Sequence, residues 1–142
     1  MSVLEGKKIL LGVTGSIAAY KSIILLRLLK REGADVQVIF SDSANNFVTQ
    51  LTFSTLSEKK VLTDFFEDDD KVEWVNHVEL AEWADYMIIA PITSSTLSKL
   101  VTGNADNLLV ATYMSTVCDV FFAPALDLVW YNSVSTKITL ES

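Results

Sequence analysis

At 142 residues, half of them apolar and a fifth charged, the chain has the size of one domain and is too apolar to stay disordered. Eighteen acidic against eleven basic residues give a net charge of −7, which argues against a nucleic-acid or anionic-membrane surface, since both need clustered cations. No apolar run reaches the roughly 18 residues of a membrane span, the N-terminus lacks a secretory-signal pattern, and the one cysteine, Cys118, can close no internal disulfide. The expected compartment is the cytoplasm. The acidic run Glu67-Asp68-Asp69-Asp70 reads as a solvated linker, so no metal is expected.

Residues 7–13 form a short apolar run closed by Thr14-Gly15-Ser16, the pattern of a buried parallel strand. From 16 to 32 the spacing is helical and predicts one broad apolar face of Ile17, Tyr20, Ile24, Leu25, Leu28 and Leu29, with Gly33 as the residue that ends the helix. Residues 34–40 read as a second strand and complete a βαβ unit, right-handed in nearly all cases. Residues 43–50 and 53–57 look like short helical turns, and 58–73 is the least regular stretch. Asn76, with Glu79 three residues on, suits the start of a helix running to Trp83. A strand at 85–90 is stopped by Pro91, helices follow at 94–101 and 107–115, and a strand at 117–123 is stopped by Pro124.

Alternating strands and helices predict an α/β fold, a three-layer doubly wound parallel sheet. Ligands of such sheets lie beyond the carboxyl ends of the strands. That rule points to Thr14-Gly15-Ser16, Ser41-Asp42-Ser43 and the segments 91–96 and 124–130.

The first strand–helix turn narrows the ligand. A dinucleotide fingerprint counted from Gly12 needs glycine at 14 and 17, where the chain has Thr14 and Ile17. A Walker loop counted from Gly15 would match Lys21 and Ser22 but places Tyr20 at its second glycine, and Ile17-Ala18-Ala19 prefers helix to an open loop. What remains is a tight glycine turn opening a helix. Thr14, Ser16, Ser41 and Ser43 are neutral donors beside that helix start, suited to a monophosphate such as that of FMN. Ordinary helix caps would have the same composition.

The segment Gly12-Val13-Thr14-Gly15-Ser16-Ile17-Ala18-Ala19-Tyr20-Lys21 resembles the opening of the flavin-dependent cysteine decarboxylase family, which includes phosphopantothenoylcysteine decarboxylases and lantibiotic-peptide decarboxylases. Three further segments recur in the same order. They are residues 47–53, the histidine segment 77–85, and Ala90-Pro91-Ile92-Thr93-Ser94-Ser95-Thr96 followed by residues 103–109. The resemblance covers residues 6–132 and is nearest to the phosphopantothenoylcysteine branch. It implies a Rossmann-like flavoprotein domain over residues 1–142 with FMN as cofactor. Gly15, Ser16, Ile17 and Ser41 would hold the phosphate and ribityl chain, and Thr93, Ser94, Ser95 and Thr96 would line the flavin. The implied reaction is decarboxylation of 4′-phosphopantothenoyl-cysteine to 4′-phosphopantetheine in coenzyme A biosynthesis. The cofactor carries the redox chemistry and the protein orients it.

His77, the only histidine, would be the active-site base, and a neutral imidazole in a helix's first turn would accept a thiol proton. Outside the resemblance, a histidine in a first turn is an ordinary surface residue. The resemblance further implies a homotrimer, or a dodecamer of trimers, with His77 and Asp127 meeting FMN from different chains.

The chain departs from the family pattern in three places. Asp127 stands where the family has an asparagine that contacts the substrate carboxylate, and an ionised aspartate accepts but cannot donate. Ser95 replaces a frequent asparagine and keeps a hydroxyl. The family's substrate-clamping flap and its cysteine lie beyond the matched segments, and Cys118, expected in a buried strand as a small hydrophobe, cannot be that cysteine. A C-terminal flap is therefore expected to be lacking. These departures keep two alternatives open: a flavin-binding regulatory homologue without full activity, and a decarboxylase of a peptide's C-terminal cysteine. A prenyl-transferring flavoprotein of the same fold fits the histidine segment and residues 103–109 poorly.

Overall fold

In the computed structural model, which describes residues 3–63, 66–68, 71–74 and 76–124, strands and helices alternate. β1 (Lys8–Val13) leads through a 3-10 turn (Ile17–Ala19) into α1 (Tyr20–Arg31), then β2 (Asp35–Phe40), a second 3-10 turn (Asp42–Asn46) and α2 (Gln50–Ser57). There follow β3 (Phe66–Asp68), β4 (Lys71–Trp74), α3 (His77–Trp83), β5 (Tyr86–Ile92), α4 (Ser94–Thr102), α5 (Leu108–Ser115) and β6 (Asp119–Pro124). Four strands form a parallel sheet in the order β2-β1-β5-β6. In its register Leu11 lies opposite Val38 on one side and Ile88 on the other. β3 and β4 pair antiparallel as a separate ribbon, regular structure in a stretch whose polar sequence shows no period.

Because successive strand residues point to opposite faces, the sheet builds two cores. Ile9, Leu11, Val13, Val36, Val38 and Phe40 pack with Leu26 and Leu29 of α1 and Phe53 of α2. Leu10, Ile39, Met87 and Ile89 pack on the other face with Ala84, after α3, and with Leu108 and Leu109 of α5. Helices thus cover both faces, the three-layer doubly wound arrangement that the alternation predicts. Gly33 ends α1 with φ +86°; its N–H donates to Lys30 O and that of Ala34 to Leu29 O, the paired bonds of a left-handed C-terminal cap.

Two expectations are corrected. Four of the six residues expected on the buried face point outward, Ile17 being 80% exposed, Tyr20 54%, Ile24 55% and Leu28 45%, while Leu29 is buried and Leu25 packs partly buried against the core. The buried residues of α1 are Ser22, Leu26 and Leu29. Apolar residues occur on more than one side of this helix, so period alone does not choose its rotation. The Ser22 hydroxyl, which donates to Ala90 O at the end of β5, faces the sheet along with Leu26 and Leu29.

Pro91 also does not end its strand, whereas Pro124 is the last residue of β6. β5 runs through Pro91 to Ile92, and its register with β6 shifts between Ile89 and Ile92. At such an irregularity the missing proline N–H removes no ladder bond. β6 starts at Asp119, two residues later than predicted; Val117 is exposed, and Cys118 stands half-buried before the strand with its Sγ 3.0 Å from Thr116 Oγ1. Among the described residues no helix is long and apolar enough to cross a membrane.

Candidate functional site

The connection from β1 leads to β2 on one side, and the chain then returns to β5 on the other. The order therefore reverses beside β1, which puts the crevice where such sheets usually hold a ligand at the carboxyl ends of β1 and β5. Three predicted segments meet there. After β1 the chain turns through Thr14-Gly15-Ser16. Ser16 is extended, and its Oγ accepts the Ala18 N–H at 3.1 Å, capping the turn that runs into α1. After β2, Ser41 N donates to Val13 O at 2.9 Å, which ties this end to β1. Ser41 Oγ lies 3.2 Å from Ser43 Oγ. A Cβ on Gly15 would come within 2.6 Å of Ser43 Cβ and 2.8 Å of its backbone carbon, so only glycine lets the two turns approach this closely.

At the end of β5, Thr93 caps α4. Its Oγ1 accepts from Thr96 N at 3.2 Å and donates to Thr96 Oγ1 at 3.1 Å. Thr96 is buried, whereas Ser94 and Ser95 are exposed and their hydroxyls make no hydrogen bond among the described residues. The four residues expected to line a flavin therefore divide. Thr93 and Thr96 bond one another and shape the helix start, and Ser94 and Ser95 present their hydroxyls outward.

Thr14 corrects the sequence reading. Expected as a donor to a phosphate, it is fully buried; its Oγ1 donates to Pro91 O at 2.6 Å and accepts from Thr93 N at 3.1 Å. Both hydrogen-bonding capacities are used inside the protein. Ser22, not expected at the site at all, holds the neighbouring carbonyl of Ala90. A hydroxyl in the middle of an apolar helical segment was the signal for it.

His77 is the first residue of α3, and Asn76 caps that helix, with Oδ1 accepting from Val78 N at 3.0 Å and Glu79 N at 3.1 Å. The cap expected from the Asn76–Glu79 spacing is present. His77 is half-buried and its Nδ1 is shielded from solvent. It stands in the layer of α3 and α5, on the opposite side of the sheet from α1. Beside it, Asn76, Glu79, Leu80 and Trp83 share a cleft of about 340 Å³ with Gln37, Lys59 and Leu62. Asp127 lies outside the described residues.

The crevice brings together two capped helix starts, one leading into α1 and one opening α4. Partial positive charge and outward N–H groups collect at such ends. The only ionisable side chain in the segments 14–17, 41–43 and 93–96 is the exposed Asp42. An anionic ligand would thus meet backbone N–H groups and neutral hydroxyls, a donor set that fits a phosphate monoester beside a polar ring edge.

The model of the Flavoprotein family matches residues 2–142. The coenzyme A biosynthesis bifunctional protein CoaBC of Vibrio vulnificus strain YJ016 is 39% identical over 137 residues, which cover 96% of this chain and 34% of that protein. The chain spans about a third of the length of the curated relatives it matches. The solved FMN binding protein AtHal3 superposes with a TM-score of 0.75 at 29% identity, covering 96% of this chain and 76% of that one. A PPC decarboxylase mutant complexed with pantothenoylaminoethenethiol gives a TM-score of 0.71 at 28% identity, with the same two coverages, 96% and 76%.

Proposed function

The chain belongs to the Flavoprotein family, and from that premise we propose that it binds FMN and decarboxylates 4′-phosphopantothenoyl-cysteine to 4′-phosphopantetheine, a cytoplasmic step of coenzyme A biosynthesis. The observation that carries this reading is the convergence of the Gly15–Ser16 turn and the Thr93–Thr96 helix start on one crevice, with neutral donors on both sides. Gly15, Ser16, Ile17 and Ser41 would hold the phosphate and ribityl chain. Thr93, Ser94, Ser95 and Thr96 would line the ring system, Ser94 and Ser95 through their hydroxyls. Names of relatives support the choice: AtHal3 is an FMN binding protein, and a PPC decarboxylase shares the fold.

Bound FMN would supply the two-electron chemistry at the substrate's thiol end. The chain's own residues would do the rest. Backbone N–H groups at the two helix starts fix the cofactor, His77 accepts the thiol proton, and Asp127 meets the carboxylate end of the substrate. An ionised Asp127 would repel that carboxylate. This favours one second reading, a flavin-binding regulatory homologue that does not turn over.

Purified protein mixed with FMN and passed through gel filtration should keep the yellow flavin absorbance, and CO₂ should be released from 4′-phosphopantothenoyl-cysteine. Protein that stays colourless would remove the flavin reading entirely. Colour without CO₂ release would support the regulatory reading.

Self-association, as a homotrimer or a dodecamer of trimers, forms part of the proposal. Ile17, Tyr20, Ile24 and Leu28 recur every three or four residues along the outward side of α1, a continuous apolar stripe of the kind that marks an interface. It begins at Ile17, beside the phosphate turn, so a second copy seated on it would border the crevice. Ile24→Glu should therefore shift the protein to a smaller species in light scattering after gel filtration. An unchanged mass would place the interface elsewhere.

A further inference from the structure

Thr14 has no route to a ligand, yet it joins the two halves of the crevice across 77 residues to Pro91 and 79 to Thr93. We infer that Thr14 is a positioning residue that sets the spacing between the Gly15–Ser16 turn and the start of α4, and through it the affinity for FMN. The inference rests on the FMN reading above and deepens it.

Three observations converge. Thr14 is fully buried, so its hydroxyl must find partners inside the protein, and it finds one in each capacity: Pro91 O accepts from it and Thr93 N donates to it. Thr93 is itself the cap of α4, so its place relative to Gly15 is fixed one residue from the turn that opens toward the ligand. Ser22, 2% exposed, holds the adjacent carbonyl of Ala90. Two consecutive carbonyls at the end of β5 are thus held by hydroxyls of the β1–α1 segment. Valine has nearly the shape of threonine but would leave the buried Pro91 O and the part-buried Thr93 N without their partner. Serine keeps the hydroxyl and loses only a methyl group.

FMN titration of wild type, Thr14→Ser and Thr14→Val, followed by flavin fluorescence, tests this. Thr14→Val should raise the FMN Kd by roughly 10- to 100-fold, and Thr14→Ser should rescue it to within about 3-fold of wild type. The fine structure of the bound flavin's visible band should blur in Thr14→Val and return in Thr14→Ser. A Thr14→Val protein that melts earlier yet keeps the wild-type Kd and spectrum would overturn the inference, leaving Thr14 a merely structural residue. If Thr14→Val does not fold, Ser22→Ala takes its place, since it frees the neighbouring carbonyl; a Kd raised several-fold supports the inference and an unchanged one overturns it. Failure of wild type to bind FMN would instead remove the flavin reading, which separates the two failures.

Discussion

His77→Asn should lower the rate of CO₂ release from 4′-phosphopantothenoyl-cysteine by on the order of 10²–10⁴-fold while FMN stays bound. Asparagine is close to histidine in size and polarity but cannot take up a proton, so the substitution removes the chemistry and little else. The helix should survive it, because the cap is Asn76: its Oδ1 accepts from Val78 and Glu79 whatever stands between them at 77. No other histidine can substitute. The check is a single-turnover measurement of CO₂ together with the absorbance of retained flavin. Unchanged turnover would assign the proton to another group. Lost colour would mean that His77 holds the cofactor and that its role in proton transfer must be tested separately.

Phe53→Ala should destabilise the protein by about 3–5 kcal/mol. Phe53 is fully buried on α2 and meets the ring of Phe40 edge-on, with centroids 5.0 Å apart and an interplanar angle of 81°. Such a pair adds to the burial of each ring. Phe40 is the last residue of β2, directly before Ser41, so the cavity would open beneath one wall of the proposed phosphate site. A loss of this size is a large share of the roughly 5–15 kcal/mol that holds a domain folded. Urea denaturation measures it, and saturating FMN should restore part of the loss by mass action. Leu51→Ala on the same helix is the control: Leu51 is 75% exposed, and surface changes of this kind stay within about 0.5 kcal/mol. A loss below about 1 kcal/mol for Phe53→Ala would mean that α2 closes over the gap.

Wherever neighbours in the chain decide the outcome, the residues already state it. The apolar run ending at Val13, Gly33 after α1, Asn76 before α3 and the alternation of strands and helices all point to the architecture, because strand burial, helix ends and caps are set within a few residues. The order of four short segments was enough to point to the family, since order and spacing survive where single residues vary. The reach of the site was legible in the same way: carboxyl ends of parallel strands are where such sheets bind ligands, and Gly15, Ser16, Ser41 and Thr93 to Thr96 all sit at those ends.

Tertiary structure alone decided what depends on partners far along the chain. The Thr14 hydroxyl reads as a ligand donor until Pro91 and Thr93, 77 and 79 residues later, are brought to it. The rotation of α1 is ambiguous in a helix with apolar residues on several sides, until Ser22 reaches the Ala90 carbonyl and leaves Ile24 and Leu28 outside. Pro91 looks like a strand stop, but the offset of β6 leaves no ladder bond there to break. In each case a hydrogen bond or a register between distant segments outweighs the local preference, and no window along the sequence contains both of its ends.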